Sequence, residues 1–223
     1  MRKIIIMPVV CLLGIILNII LTRFCIFYAG IPLYLDTVFT ITVTLSCGLV
    51  WGMICGALTN ILCHTIFGWG WEPYLFTICN IATAFITWLF YRKFNTELLL
   101  NSDNFSVFTL NLPEQKSIQL KKTINLIIIL IFLSFTLCIA MSILGGLIAT
   151  IILSINSTYT EGDGISSILS STMFSQNVSV LPREILSRIP INIIDRLISV
   201  FAGYAAAYFL HRTLKLPVPV REK

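Results

Sequence analysis

The sequence predicts an all-α polytopic membrane protein, a six-transmembrane-helix bundle, and three observations carry that prediction. Of its 223 residues, 57% are hydrophobic and only 11% are charged, a balance foreign to soluble domains. Mean hydropathy is +0.93. The apolar residues gather into blocks of the length that a hydrocarbon layer of about 30 Å requires.

The first block follows Met1-Arg2-Lys3 and covers residues 4–28 with no small-residue cleavage site, so it reads as a retained span and not as a signal peptide. The stretch from Ile31 to Phe67 has Asp36 as its one formal charge and is too long for a single crossing. It must fold back. Glycines mark the place: residues 36–49 and 51–67 form a short helical hairpin whose tip is Gly48-Leu49-Val50-Trp51-Gly52. Steps of four lead from Gly52 through Gly56 to Asn60 and His64, which puts all four on one helix face. Glycines so spaced let membrane helices approach closely, whereas an amide and an imidazole in an apolar span need polar partners.

Residues 73–91 form the fourth span, opened by Pro73, whose missing N–H costs nothing in a first turn. The fifth, 124–153, is long enough to tilt or protrude, and the sixth is 191–211. Between spans four and five, residues 93–123 read as a polar cytoplasmic connection. Between spans five and six, 154–190 reads as a long extracytoplasmic loop or lid. Its second part, 182–189, is expected as a separate short helix that ends before Pro190.

Basic residues set the orientation. Arg2, Lys3, Arg92, Lys93, Lys116, Lys121, Lys122, Arg212, Lys215, Arg221 and Lys223 all fall on one side, so both termini are expected in the cytoplasm of a multi-pass plasma-membrane protein. On that reading the directional groups crowd the outer half: Asp36, Asn60, His64, Trp69, Trp71, Glu72, Asn80, Asn192, Asp195 and Arg196. A charge at mid-span costs about 2.5–3.5 kcal/mol on insertion scales. A polar cluster with apolar walls suits a small organic ligand. Structural alternatives stand beside this: Asp36 as the N-cap of span two, Trp69 and Trp71 as an interfacial belt, Asp195 and Arg196 paired structurally, Asn80 bonded to a neighbouring helix, Arg23 snorkelling.

No nucleotide-binding loop, zinc helix or nucleophile elbow occurs in the sequence, so no chemistry of its own is expected. The seven cysteines lie almost wholly in apolar spans without a Cys-x-x-Cys pair and read as small hydrophobes. Neither a metal nor a cofactor is expected, and no basic patch with interleaved aromatics argues for nucleic acid.

Three stretches carry a resemblance: Ile31-Pro-Leu-Tyr-Leu-Asp-Thr37, the hairpin from Gly48 to Asn60, and Pro190 to Tyr204, reading PINIIDRLISVFAGY. Together they resemble the substrate-binding S component of energy-coupling factor vitamin transporters. The resemblance implies a six-helix bundle that captures a vitamin-like micronutrient outside. It also implies a transmembrane coupling subunit and two cytoplasmic ATPases as partners. Carried over, Tyr34, Asp36 and Thr37 belong to a first-loop lid, Trp69 to Glu72 to a third-loop wall, and Asn80 with the Arg188–Arg196 segment closes the pocket. Gly14 and Asn18 hold the nearest spacing to the family's docking pair in span one; Gly52 with Gly56, or Ala202 with Ala206, are further docking surfaces, and Gly48 belongs with the helix-packing glycines. Trp69, Trp71 and Tyr34 suit a stacked flavin, whereas Arg188 or Arg196 suits an anionic vitamin. A sensor module with a separate signalling partner, and a gradient-driven carrier titrating at Asp36 or Asp195, are the rival readings.

Overall fold

The computed structural model describes residues 2–29, 33–68, 70–94, 98, 113–157 and 179–214. Its elements are α1 (Arg2–Arg23), which runs on into a π-helical turn (Phe24–Tyr28); α2 (Val38–Cys47); α3 (Leu49–Phe67); a 3-10 turn (Glu72–Phe76) leading into α4 (Thr77–Lys93); α5 (Pro113–Ile155); and α6 (Val180–Leu214). Among the described residues there is no strand. Five of these helices are long and apolar enough to cross a membrane. Their outward faces carry exposed Leu12, Ile20, Phe132, Ile139, Ile151 and Phe209, while threonines, asparagines and charges are buried. That inversion is what a lipid surround demands, and the chain is an all-α polytopic membrane bundle.

The second predicted span is shorter than expected. α2 has 10 residues, ~15 Å at the helical rise, about half a hydrocarbon layer. Every residue of it except Phe39 is buried. It packs on α1, α3, α4 and α6 and forms the axis of the bundle. Such a helix never meets lipid, so its length answers to its neighbours and not to the bilayer.

Polar contacts and glycines tie these neighbours to it. Thr42 Oγ1 donates to the Gly203 carbonyl of α6 at 3.0 Å, and Asn18 Nδ2 of α1 donates to Thr40 Oγ1 at 3.1 Å. A Cβ on Gly203 would stand 2.7 Å from the Val38 carbonyl oxygen, and one on Gly56 would stand 2.8 Å from that of Asn80. Gly52 abuts Thr44, and Gly14 abuts Val43 and Cys55. Gly14, Gly52 and Gly56 therefore pack helices within the bundle and present no docking face. Gly48 packs against nothing. It is the single-residue turn between α2 and α3, at φ +92°, a conformation that only glycine takes without strain. Ala202 is exposed and Ala206 half-buried on the outer side of α6.

Two connections differ from expectation. α5 already begins at Pro113, inside the stretch read as a polar connection, while 95–97 and 99–112 lie outside the described residues. α6 begins at Val180 and passes through Pro190 without ending. A mid-helix proline forfeits one hydrogen bond and crowds the preceding turn. Packing on α5 holds the helix together on both sides of it. Before it, Gly146 meets Ile185 and Cys138 Sγ sits 3.8 Å from the Ile189 carbonyl; after it, Asn192 Nδ2 donates to Ser142 Oγ at 2.9 Å. Residues 158–178 of the predicted loop lie outside the described residues.

Because backbone atoms meet the added carbon, Gly203→Ala and Gly56→Ala should each destabilise the protein by about 1–3 kcal/mol, the usual cost of overpacking. Thermal unfolding in detergent checks this, with Ala202→Leu on the exposed side expected to leave the midpoint unchanged.

Candidate functional site

The site is built where α2 begins. Residues 33–37 enter the bundle as non-helical backbone, with Leu33, Leu35 and Thr37 buried. Backbone of this kind is tolerated at membrane depth only where protein satisfies its polar groups. Leu35 has φ +46°, in the left-handed region that a leucine rarely adopts. Its N–H donates to Asp195 Oδ1 of α6 at 3.0 Å.

From Asp195 the polar contacts extend across three elements. Arg196 Nη2 lies 2.7 Å from Asp195 Oδ2 and 4.0 Å from Asp36 Oδ1. Arg196 Nη1 donates to Thr37 Oγ1 at 2.6 Å. Asn80 Nδ2 of α4 donates to Asp36 Oδ2 at 2.7 Å. Asp195 is 1% exposed and Arg196 7%. Tyr34 is half-buried on the same segment. One relay, Asn80–Asp36–Arg196–Asp195, thus joins α4 to α6 through the lead-in of α2. The N-cap of α2 is Thr37, with no side-chain cap bond. Asp36 bonds Asn80 and faces Arg196 at 4.0 Å instead, which removes the capping alternative.

The remaining predicted residues form smaller groups at the same end of the bundle. Asn60 Oδ1 accepts from Thr77 Oγ1 at 2.7 Å, and Asn60 Nδ2 lies 3.1 Å from His64 Nε2, so these two bridge α3 to α4. His64 meets Tyr74 edge-on at 5.9 Å. Glu72 is buried and accepts from Asn156 Nδ2 at 3.1 Å. Arg188 pairs with Glu184 at 2.8 Å one helical turn away, its stem against Gly145. Asn192 turns to Ser142 of α5 and away from the relay. Trp71 is 52% exposed, as an interfacial belt residue would be, and Trp69 lies outside the described residues. Arg23 rests its guanidinium over Phe27 and Phe67 at 5.9 and 5.8 Å and takes no part in the relay.

Sequence reasoning passed over one polar hub. Asn18 is fully buried; its amide donates to Thr40 and, at 3.3 Å, to Thr59, while its Oδ1 accepts the Phe39 N–H at 2.9 Å. The signal was the one that singled out Asn60: a lone amide in an apolar span. Its three bonds make it an internal brace between α1, α2 and α3 and remove it from any docking surface.

Among the described residues no group of three or more His, Cys, Asp or Glu side chains is arranged to hold a metal ion. Comparison with known protein families, curated proteins and solved structures finds no match.

Removing one member of a buried ion pair strands its partner, at about 3–5 kcal/mol. Arg196→Met should lose that much stability in a denaturation assay. Adding Asp195→Asn, which keeps an acceptor for the Leu35 N–H, should recover a measurable part of the loss.

Proposed function

We propose that the chain is a membrane-embedded solute-binding subunit of the S-component kind. It captures a vitamin or related micronutrient at the extracytoplasmic end of the bundle for uptake driven by a coupling subunit and two ATPases. One observation supports this reading above others: the three stretches that carry the family resemblance, far apart in sequence, meet at a single place. Asp36 of the first is bonded to Asn80, whose carbonyl abuts Gly56 of the second. Leu35, Thr37 and Asp36 of the first also engage Asp195 and Arg196 of the third. A polar relay at a helix-start junction, walled by apolar helices, is the arrangement from which ligand pockets are made.

In this reading the 33–37 segment is the inner edge of the binding site. Asp36, the more exposed acid of the relay at 15% against 1% for Asp195, meets the solute, while Asp195 and Arg196 fix the segment that bears it. Energy for transport comes from the partner subunits.

Protein purified from its native membrane should carry a small organic solute in one-to-one amount, identified by mass spectrometry after denaturation. Asp36→Ala should lose the solute while retaining most of the folded yield. Preparations free of solute, together with no thermal stabilisation by any water-soluble vitamin, would contradict the proposal. Uptake of the identified solute should require co-expression of coupling ATPases; robust uptake without them would favour a carrier.

A further inference from the structure

We infer that the relay recognises a positively charged group on the solute, an ammonium or amidinium, seated against Asp36. This rests on the solute-binding reading and adds the chemical class of the ligand. Two carboxylates, Asp36 and Asp195, share one guanidinium, Arg196, so with both acids ionised the group carries one uncompensated negative charge.

The geometry locates that charge. Arg196 is committed to Asp195 at 2.7 Å and to Thr37 at 2.6 Å. Asp195 also takes the Leu35 N–H. Among the described residues Asp36 receives only the neutral amide of Asn80 on Oδ2; its Oδ1 is 4.0 Å from Arg196, buried, and accepts no hydrogen bond from them. Among the described residues Arg196 is the one cation within ion-pair distance of Asp36. From α4 the group that reaches Asp36 is the neutral amide of Asn80. Of the remaining charges of α6, Arg183, Glu184 and Arg188 are paired among themselves, about 12–20 Å toward its N-terminus, and Arg212 lies about 24 Å toward its C-terminus. An under-compensated carboxylate in an apolar surround is costly until a cation or a proton joins it.

A second observation, independent of the acids, points to the same place. Ser199 is fully buried and its Oγ has no hydrogen-bond partner. Buried hydroxyls elsewhere in the bundle, those of Thr42, Thr44, Thr83, Thr87 and Ser134, donate to the carbonyl four residues back. Ser199 does not. It stands one turn beyond Asp195 and Arg196 on the same face, and side chains on a helix lean toward its N-terminus, so the hydroxyl leans toward the charged group. It supplies a polar contact for a ligand beside the acid. An anionic ligand would double the charge imbalance, and a neutral one would leave it standing.

The test uses three compounds of nearly the same shape that differ in charge and in hydrogen-bonding pattern, benzamidine, benzamide and benzoate, added to the purified full-length protein in detergent, with binding read by calorimetry and thermal shift. Benzamidine should bind at least about tenfold more tightly than benzamide, a difference of about 1.4 kcal/mol, and benzoate should not bind. Asp36→Asn, which keeps the Asn80 contact, should erase the preference, and Ser199→Ala should weaken benzamidine severalfold. Equal or tighter binding of benzamide or benzoate overturns the inference, as does an absence of binding by all three. A melting temperature that responds to pH and not to benzamidine also overturns it, because the missing charge is then a proton. If a neutral or anionic solute co-purifies with the protein, this inference fails while the solute-binding reading stands; if no solute binds at all, both fail.

Discussion

A ten-residue helix cannot cross a hydrocarbon layer, and the bundle is organised around the consequences of placing one at its centre. α2 is enclosed by α1, α3, α4 and α6, so the backbone that leads into it also lies inside protein and must find hydrogen bonds there. Asp195 supplies one to Leu35, and Arg196 neutralises Asp195 and binds Thr37. The charges of Asp195 and Arg196, some four turns into α6, are explained by the same need. They are what allows an irregular, left-handed residue to persist at that depth.

The rest of the interior follows the rule that membrane helices are joined by close approach and by polar groups, since burying apolar surface gains little where lipid is equally apolar. Gly203 and Gly56 bring backbones together on two sides of the bundle. Thr42 and Asn18 add directional bonds at the two faces of α2 where α6 and α1 meet it. Apolar clusters such as Ile41, Leu45, Leu133, Leu137 and Val200 fill the space between. The charged relay is thereby confined to one end, where the short axis leaves room for the 33–37 segment.

Much of this architecture was legible in the amino-acid sequence, because membrane-spanning helices are written in hydropathy. The hairpin turn was visible as Gly48, and the polar stripe of α3 as steps of four. What escaped was set by contacts between distant segments. Nothing local says that α6 survives Pro190; that depends on Gly146 and Ser142 of α5 lying alongside it. Whether Asp36 caps α2 or pairs across the bundle depends on Asn80 and Arg196, residues 44 and 160 positions away. The shortness of α2 was hidden for a related reason: flanking residues 33–37 continue the apolar stretch through Leu33 and Leu35 but are held in a non-helical path by Asp195 and Arg196 of α6. Asn18 was overlooked because it was weighed as a surface spacing when its burial made it a brace.

The central claim is that the lead-in to α2 is fixed inside the bundle by Asp195 and Arg196, and amide hydrogen exchange on the protein in lipid nanodiscs tests it most directly. The account predicts that the amides of residues 33–37 exchange as slowly as those of α2 itself. Exchange at the rate of an open surface loop, with α2 still protected, would contradict it.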